Sequence, residues 1–443
     1  MRRWRAFQIL VFVLPLPFGL NTNWTWPWVV AAVFWILGLE LRGLLAFQEK
    51  KQLPNIVFPI AFTKALPLLG LLVLVQLWVI FQCLFGIALS PYDTQLEILL
   101  GFGYTAFFAL SLLMIKNRKR LERIVWIVAL AAAFQALYGS FMVMSDLEWG
   151  FFIDKEAYIG VATGTFINRN HLAGYLELSI ALGIGLLISQ SSSYYGTWQQ
   201  RLRTLIKTML SKKIILRLLL VIMVIAMVMT RSRMGNTAFF ISLMTTGLLA
   251  LLLMKNKTTS TSILLVSLLV VDIAIVGTFF GVDKLADRLQ NSSTETESRD
   301  EVTRDTIAMA KTHALTGVGA GGFTYIYPAF RSIDVRTTRI YNNAHNDYSQ
   351  FAAEFGLPAS FALLVVVLVS IFWAISAMRL RNNDLHKGMG FAATMGIIAL
   401  GIHSTVDFNL QIPANAFMFM LILSIAAIAR WSPYSRKSNS ANG

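Results

Sequence analysis

Apolar runs of about 20 residues recur along almost the whole chain, separated by shorter polar segments. A run of this length is what an α-helix needs to cross a bilayer. The composition agrees, because 56% of the 443 residues are hydrophobic and only 14% are charged, whereas about a quarter of a soluble domain is charged. Barrel strands alternate apolar and polar residues, so these continuous runs exclude a barrel. The sequence therefore predicts an all-α polytopic membrane protein.

The runs predict about 12 transmembrane helices. Their approximate ranges are 6–20, 27–46, 66–88, 96–115, 121–143, 171–189, 214–230, 235–254, 262–281, 357–378, 389–406 and 413–431. Pro15 and Pro17 fall in the first range, which is expected to be kinked or partly interfacial. We interpret the chain as three parts: helices 1–9 in 1–281, a long polar segment in 282–356, and helices 10–12 with a tail in 357–443.

Most of the 38 Lys and Arg residues fall in alternate loops of this topology. The loops richest in these residues are cytoplasmic in membrane proteins, so both termini are predicted to be cytoplasmic. The net charge of +15 then lies against anionic membrane lipids, and no nucleic-acid partner is needed to explain it. A single cysteine, Cys83, allows no internal disulfide, and no Cys/His cluster indicates a metal site.

The polar segment 282–356 lies on the outer side in this topology, and we interpret it as a lid on the helical bundle rather than an independent fold. An amphipathic helix is predicted at about 299–313. Gly317, Gly319 and Gly322 then fit the spacing G-x-G-x-x-G, but a dinucleotide site also needs a preceding strand and a βαβ unit, which the pattern lacks. We interpret the glycines as a tight backbone turn.

His345 follows this turn and precedes an apolar helix predicted to start near Leu357. A histidine at a membrane–water boundary can exchange a proton near neutral pH, so His345 is the candidate general base. Asn346 or Asp347 could orient its ring, and Tyr348 extends the polar group. The alternative is a histidine that caps the helix or lies at the interface without chemistry.

Four further polar clusters fall on the same outer face in the predicted topology. They are Asn168, Arg169, Asn170 and His171; Arg231 and Arg233; Arg299 and Arg304; and His403 with Asp407. Arginine grips phosphate oxygens through two N–H groups, so the arginines predict an anion clamp that suits a diphosphate. The alternatives are lipid headgroup binding or a salt bridge with Glu295, Glu297, Asp300 or Glu301, and for Arg304 we favour the salt bridge.

His403 and Asp407 are four residues apart, so they are predicted to share one helix face and to form a structural bond that closes the helix end. Ser404 suggests a nucleophilic triad, but it is adjacent to His403 and would point in another direction around the helix. Glu177 and Asp272 are predicted intramembrane acids. Such acids could form the proton path that a transporter would need.

Five sequence pieces, taken in order, resemble the O-antigen ligase and Wzy-type O-antigen polymerase superfamily. They are Gly164-Thr-Phe-Ile-Asn-Arg-Asn-His-Leu-Ala, Arg231-Ser-Arg, Arg299 before Gly317-Val-Gly-Ala-Gly-Gly-Phe, Ala344-His-Asn-Asp-Tyr with Glu354-Phe-Gly-Leu, and His403-Ser-Thr-Val-Asp-Phe-Asn with Ile412-Pro. The resemblance covers roughly 160–415. A proline that is common before the glycine run in this family is replaced by Ala314, which affects the expected end of the preceding helix.

The resemblance implies a fold similar to C-type glycosyltransferases and a glycan donor on undecaprenyl diphosphate in the periplasmic leaflet of a bacterial inner membrane. It implies no metal, nucleotide sugar or other cofactor. By position, His345 looks like the family's essential His, Arg233 like the arginine of its Ser-Arg turn, and Arg299 like the arginine that opens its periplasmic helix. We expect His345 to take or orient the proton of an acceptor hydroxyl, and the arginines to neutralise the departing diphosphate with inversion at the anomeric carbon.

The other site residues are predicted to bind substrate. They are Arg231, Asn168, Arg169, Asn170, His171, Arg304, Asn346, Asp347 and Tyr348. The acceptor distinguishes two activities: an O-antigen ligase, which we favour, uses lipid A-core, and a Wzy-type polymerase uses another lipid-linked glycan. A proton-coupled lipid or sugar transporter and a structural scaffold are alternatives from other classes. Membrane lipids are the remaining expected partner.

Overall fold

The computed structural model of the protein describes residues 2–150, 153–190, 212–255, 262–263, 266–267, 270, 294–335 and 340–433. The α-helices in these residues are α1 (Arg2–Val13), α2 (Trp26–Lys51), α3 (Ile60–Leu84), α4 (Pro91–Met114), α5 (Arg118–Ser145), α6 (Arg169–Ser189), α7 (Lys212–Met229), α8 (Arg233–Leu253), α9 (Thr294–Thr312), α10 (Phe323–Phe330), α11 (Asp347–Phe355), α12 (Leu357–Leu380), α13 (Asp384–His403) and α14 (Pro413–Trp431). Two 3₁₀ turns, Phe18–Leu20 and Asn409–Gln411, and an antiparallel pair of two-residue strands, β1 (Trp149–Gly150) and β2 (Ile153–Asp154), complete the described elements.

Nine helices in the described residues are long and apolar enough to cross a membrane: α2 to α6, α8, and α12 to α14. The chain is therefore an all-α, multi-pass membrane protein, as the sequence predicts. Helix α7 has three basic residues among its 18, and α1 is only 12 residues long. The predicted helix 262–281 lies mostly outside the described residues, so a count of 12 is not confirmed.

The first predicted helix ends early. Helix α1 stops at Val13, before Pro15 and Pro17, and the chain then passes through left-handed backbone at Phe18 and Leu20. Proline cannot donate the backbone hydrogen bond that a helix interior needs, which explains the break. The kink expected in 6–20 is thus a complete end to the helix.

Helices α6, α13 and α14 form the centre of the bundle. The most apolar stretch of α6 is fully buried, whereas only 28% of the corresponding stretch of α2 is buried. A helix that is apolar on every side needs neighbours on every side. Gly185 of α6 and Gly388 of α13 let the two backbones touch, because a Cβ at Gly388 would lie 2.1 Å from the Gly185 carbonyl oxygen. This contact fixes the two helices that carry much of the site described below.

The described part of the lid has a small apolar core that is separate from the main one. Its buried members are Val302, Met309, Ala310, Val318, Phe323, Tyr327, Ala344 and Ala353. They come from α9, α10, α11 and the connections between them. The amphipathic helix predicted at 299–313 is α9, and α10 and α11 are helices that the sequence pattern did not predict.

The glycine run is the tight turn that the sequence predicts. Gly317, Gly319 and Gly321 have φ values of +68°, +98° and +72°, which favour glycine. A Cβ at Gly317 would lie 2.2 Å from the carbonyl oxygen of Glu354. The turn therefore lets the chain press against the end of α11.

Side chains of the α3–α4 hairpin fasten this turn and the end of α11 to the bundle. The Gln82 side-chain amide donates to the carbonyl oxygens of Thr316 (2.6 Å) and Glu354 (2.9 Å). The Trp78 indole N–H donates to the carbonyl of Phe355 at 2.8 Å. The lid is thus attached to a part of the chain more than 200 residues away.

Candidate active site

His345 lies in the connection that precedes α11. Its ring meets the ring of Phe408 edge-on, with centroids 4.8 Å apart, and lies 6.2 Å from the ring of Tyr341. Its φ is +51°, which is uncommon for a residue other than glycine. The Nδ1 atom is buried and has no hydrogen-bond partner among the described residues. Backbone strain and a buried, unpaired nitrogen both lower the free energy of unfolding, and both are typical of functional positions.

Asp347 fastens the start of α11 to the connection between α13 and α14, residues 404–412, which we call the 404–412 loop. Its backbone N–H donates to the Ser404 carbonyl (3.0 Å), and its carboxylate accepts from the Ser404 hydroxyl (2.7 Å) and from the Leu410 N–H (3.1 Å). Burial raises the pKa of Asp347 to about 7, although these donors oppose the shift. In the described residues its carboxylate therefore holds the 404–412 loop and accepts from Ser404 and Leu410, so the expectation that Asn346 or Asp347 orients the His345 ring stays a prediction.

Asn346 and Tyr348, the neighbours of Asp347 in sequence, also bond the start of α11 to the end of α13 and the 404–412 loop. The Asn346 side chain caps α11, accepting from the Ser349 N–H at 3.0 Å, and it donates to the carbonyl of Thr405 at 2.8 Å. The Tyr348 hydroxyl donates to the carbonyl of Gly401 at 2.8 Å. The three residues after His345, all predicted to bind substrate, are thus engaged in placing His345 against the bundle.

Phe408 joins two imidazoles from distant parts of the chain. The His171 ring, near the start of α6, meets Phe408 edge-on with centroids 4.7 Å apart, and the His345 ring does so from the lid at 4.8 Å. The structure therefore brings together two histidines that the sequence predicted separately. Phe408 was not predicted as a site residue, and its position beside Asp407 in the family-like motif was the only signal.

Asp407 is a buried carboxylate at the centre of this group. It accepts from the side-chain amide of Asn170 (2.5 Å) and from the N–H of Phe408 (2.9 Å), and His171 Nε2 lies 3.9 Å away. Burial by itself raises the pKa of this carboxyl, but nearby groups that can carry positive charge lower the pKa below its ordinary value. Those groups are His171, His403, Arg299 and His345. Asp407 is thus ionised at neutral pH and was missed as a site residue.

Arg299, a half-buried residue of α9, lowers the pKa of both His345 and Asp407 through its positive charge. Burial is the main reason why the pKa of His345 falls to about 4, and the Arg299 cation lowers it further while Asp407 opposes the shift. At neutral pH His345 is therefore uncharged. A neutral imidazole can accept a hydrogen bond from a hydroxyl, but one with this pKa holds a proton only weakly.

The Arg231–Arg233 turn lies where α8 begins, and both arginine side chains are exposed. The hydroxyl of Ser232 caps the helix by accepting from the N–H of Gly235 at 3.2 Å. A Cβ at Gly235 would lie 3.2 Å from Cε1 of His403, so the first turn of α8 packs against the end of α13. Arg233 is thus at the same end of the bundle as the histidine group.

Arg304 is engaged with carboxylates of the lid. Its guanidinium donates two hydrogen bonds of 2.9 Å to Asp334 and bonds Asp305 and the Ser332 hydroxyl. The salt bridge favoured for Arg304 is present, with Asp334 and Asp305 as partners in place of the acids expected from sequence. Substrate binding by Arg304 stays a prediction, with the guanidinium already bonded.

The predicted residues at the start of α6 serve two purposes. The Asn168 side chain caps the helix by accepting from the N–H of Asn170 at 2.8 Å. The Arg169 guanidinium lies over the ring of Tyr158, 5.7 Å from its centroid, and its Nε is buried without a partner among the described residues. Asn170 and His171 face Asp407, as described above.

His403 pairs with Glu177 across the interface of α13 and α6, with Nδ1 and Oε1 2.8 Å apart and both side chains fully buried. The expected bond between His403 and Asp407 is wrong. Helix α13 ends at His403, three residues earlier than predicted, so the chain leaves the helix before Asp407 and the four-residue spacing no longer aligns the two. Asp272 lies outside the described residues. The described part of the chain has no group of three or more His, Cys, Asp or Glu residues placed to hold a metal ion.

A family model described as O-antigen ligase matches residues 218–364. The match confirms the resemblance to the O-antigen ligase and Wzy-type superfamily and indicates an enzyme of ligase- or polymerase-type glycosyl transfer, with lipid-linked glycan substrates. Arg233, Arg299 and His345 all fall inside the matched residues, whereas His171 and Asp407 fall outside. No curated protein matches the chain.

Proposed function

We propose that this multi-pass membrane protein of the O-antigen ligase and Wzy-type superfamily transfers a glycan from undecaprenyl diphosphate to a hydroxyl of lipid A-core. The reaction takes place on the periplasmic side of a bacterial inner membrane, with both chain termini in the cytoplasm. The activity is that of an O-antigen ligase, a metal-independent, inverting glycosyltransferase.

One observation carries the proposal: an uncharged, half-buried imidazole lies in the field of an arginine and a buried aspartate at the end of a bundle of membrane helices. His345, Arg299 and Asp407 are these groups. The imidazole supplies an acceptor for a hydroxyl proton, and the arginine supplies a counter-charge for a diphosphate. These groups support the proposal because glycosyl transfer from a lipid diphosphate needs both of them.

In the proposed reaction, the acceptor oxygen attacks the anomeric carbon from the face opposite the diphosphate. The bond from this carbon to the diphosphate breaks, and the electron pair leaves with the phosphate oxygen. His345 aligns the attacking hydroxyl and takes up its proton as the O–H bond breaks. Arg233 and Arg299, with Arg231, neutralise the developing charge, and this stabilisation of the transition state lowers the barrier.

The test is glycan transfer by purified protein from a defined lipid-linked donor, with His345→Ala, Arg299→Ala and Arg233→Ala. We expect each change to lower kcat by roughly 100-fold or more, as removal of a general base or of an oxyanion donor does. Lys311→Ala is the matched control, because Lys311 is an exposed cation of α9, the helix that carries Arg299. Folded His345→Ala protein with undiminished transfer would remove the proposal.

The polymerase alternative uses the same donor and the same superfamily match, and the acceptor separates it from the ligase. Cells that lack a ligase still make long polymer but leave it unattached to lipid A-core. Cells that lack a polymerase carry single repeats on the core. The glycan ladder of a deletion strain therefore decides between them.

The transporter alternative predicts that glycan movement depends on the proton gradient. Glu177 is one of the two intramembrane acids that could form such a proton path, and its side chain is paired with His403 and fully buried. We expect transfer in proteoliposomes to continue when the gradient is dissipated. A loss of activity under that treatment favours the transporter.

A further inference from the structure

Glu177 and His403 form a carboxylate–imidazole pair inside the bundle. The His403 Nδ1 atom lies 2.8 Å from Glu177 Oε1, and neither side chain has any exposed surface. The second polar atom of each group, His403 Nε2 and Glu177 Oε2, is buried without a hydrogen-bond partner in the described part of the chain. Ionisable pairs inside a membrane protein are expensive and are typically kept for a function.

The geometry of the pair specifies what it can do. A carboxylate that accepts from Nδ1–H fixes the imidazole tautomer and leaves the lone pair on Nε2. It also stabilises the imidazolium that forms when Nε2 takes up a proton, as the aspartate of a catalytic triad does. Glu177 therefore prepares His403 to accept a proton at the atom that has no other partner.

The pair lies next to the site described above. His403 is the last residue of α13, directly before the 404–412 loop that carries Asp407 and Phe408. Gly235, two residues after Arg233, packs against its Cε1 atom. The ionisable groups that act on His403 from its own loop, from α6 and from α11 are Glu177, Asp407, His171 and Asp347.

The low pKa of His345 means that the reaction needs a second proton acceptor. Burial and the Arg299 cation hold the pKa of His345 at about 4, so it aligns a hydroxyl well and retains a proton poorly at neutral pH. A glycosyl transfer releases one proton for each glycosidic bond. A second proton acceptor beside His345 therefore takes that proton over and keeps it away from the reacting atoms.

We propose that the Glu177–His403 pair stores, on Nε2 of His403, the proton that the acceptor hydroxyl loses to His345. The acceptor O–H bond breaks, the oxygen bonds to the anomeric carbon, the diphosphate leaves with the electron pair, and His403 becomes an imidazolium paired with Glu177. The inference rests on the proposed glycosyl transfer. Because neither side chain is exposed, both are positioning residues that act through His345.

His403→Asn is the decisive variant, because the asparagine amide can still donate to Glu177 but cannot take up a proton. We expect kcat to fall roughly 100-fold, within the range for loss of acid–base catalysis, with the KM for the donor unchanged within about twofold. Glu177→Gln lowers kcat in the same way. The double variant is no slower than His403→Asn, because two residues that act as a unit are not additive.

Ser179→Ala on α6 and Thr394→Val on α13 are matched controls. Both side chains are fully buried, and the hydroxyl of each donates to a carbonyl of its own helix, that of Tyr175 and of Gly390 respectively. We expect both controls to keep the kcat of the unchanged protein, and melting temperatures show whether each variant is folded.

Folded His403→Asn with an unchanged kcat, or with an effect confined to melting temperature, overturns the inference. His345→Ala separates this failure from that of the proposed function. If His345→Ala is inactive while His403→Asn is active, only proton storage fails. If both are active, the glycosyl transfer proposal fails with it.

Discussion

The Ser404 hydroxyl donates a 2.7 Å hydrogen bond to the carboxylate of Asp347, and this contact joins the segment that carries His345 to the loop that carries Asp407. The two residues are 57 positions apart. The distance between the His345 imidazole and the Asp407 carboxylate is therefore set by the bond between Asp347 and Ser404, which involves neither of the two groups.

Asp347→Ala tests this junction. The change leaves the Ser404 hydroxyl and the Leu410 N–H without their acceptor, and each buried donor left unsatisfied costs about 1–3 kcal/mol. We expect a lower melting temperature and a fall in transfer rate of more than about tenfold, since His345 loses its position. Asp334→Ala, an exposed carboxylate of the same lid, is the control. Asp347→Ala with normal transfer would show that the junction does not position His345.

The titration of His345 should move in opposite directions when its two charged neighbours are neutralised. Arg299 lowers the pKa of His345, so Arg299→Gln raises it; Asp407 raises the pKa, so Asp407→Asn lowers it. The neutral imidazole is the active form, so the acid limb of any residual rate moves to higher pH in Arg299→Gln and to lower pH in Asp407→Asn.

Nitrogen NMR of protein labelled in its five histidines measures these titrations directly, with His345→Gln assigning the signal. A change in the same direction for both variants would contradict the electrostatic account of the site.

Arg304 and Arg299 lie on the same helix, but we expect different effects when each becomes glutamine. Arg304 is bonded to Asp334 and Asp305, so Arg304→Gln weakens lid contacts and leaves kcat close to normal. Arg299→Gln removes a charge that acts on His345 and lowers kcat by more than about tenfold. Parallel kcat and KM measurements compare them. A larger loss of kcat in Arg304→Gln would make it the diphosphate ligand.

Gly388→Ala should loosen the contact between α6 and α13. The added Cβ would lie 2.1 Å from the Gly185 carbonyl oxygen, so the two backbones must separate, at a cost of about 1–3 kcal/mol or more. Gly38→Ala on α2 is the control, since among the described residues no atom outside its own turn of helix lies within 4 Å of the added Cβ, and alanine favours a helix by about 1 kcal/mol. Thermal unfolding in detergent should show opposite shifts. Equal melting temperatures would contradict the close approach.

Helix positions in this protein could be predicted well from sequence where the signal is local. Helix α14 has the bounds 413–431 that were expected, and α12 begins at Leu357 as expected. Apolar runs and helix-initiating prolines are read within a few residues, so no knowledge of the tertiary fold is needed.

Side-chain partners could not be predicted in the same way. His403 was expected to pair with Asp407, four residues away, yet its partner is Glu177, 226 residues away. Tyr348 at a membrane boundary has the same sequence signal whether it contacts substrate or, as here, the carbonyl of Gly401. The choice depends on which helices pack together, and hydrophobic periodicity does not contain that information.

The attachment of the lid to Gln82 and Trp78 has a consequence for how a long lipid could reach the site. The lid is fastened on one side to the α3–α4 hairpin and on the other, through Asp347, to the 404–412 loop. Because both attachments hold the lid, we do not expect it to swing away from the bundle as a hinged segment would. We expect a lipid-linked donor to slide in laterally from the bilayer, so the length of its tail, more than the bulk of its sugar, would decide how easily it enters.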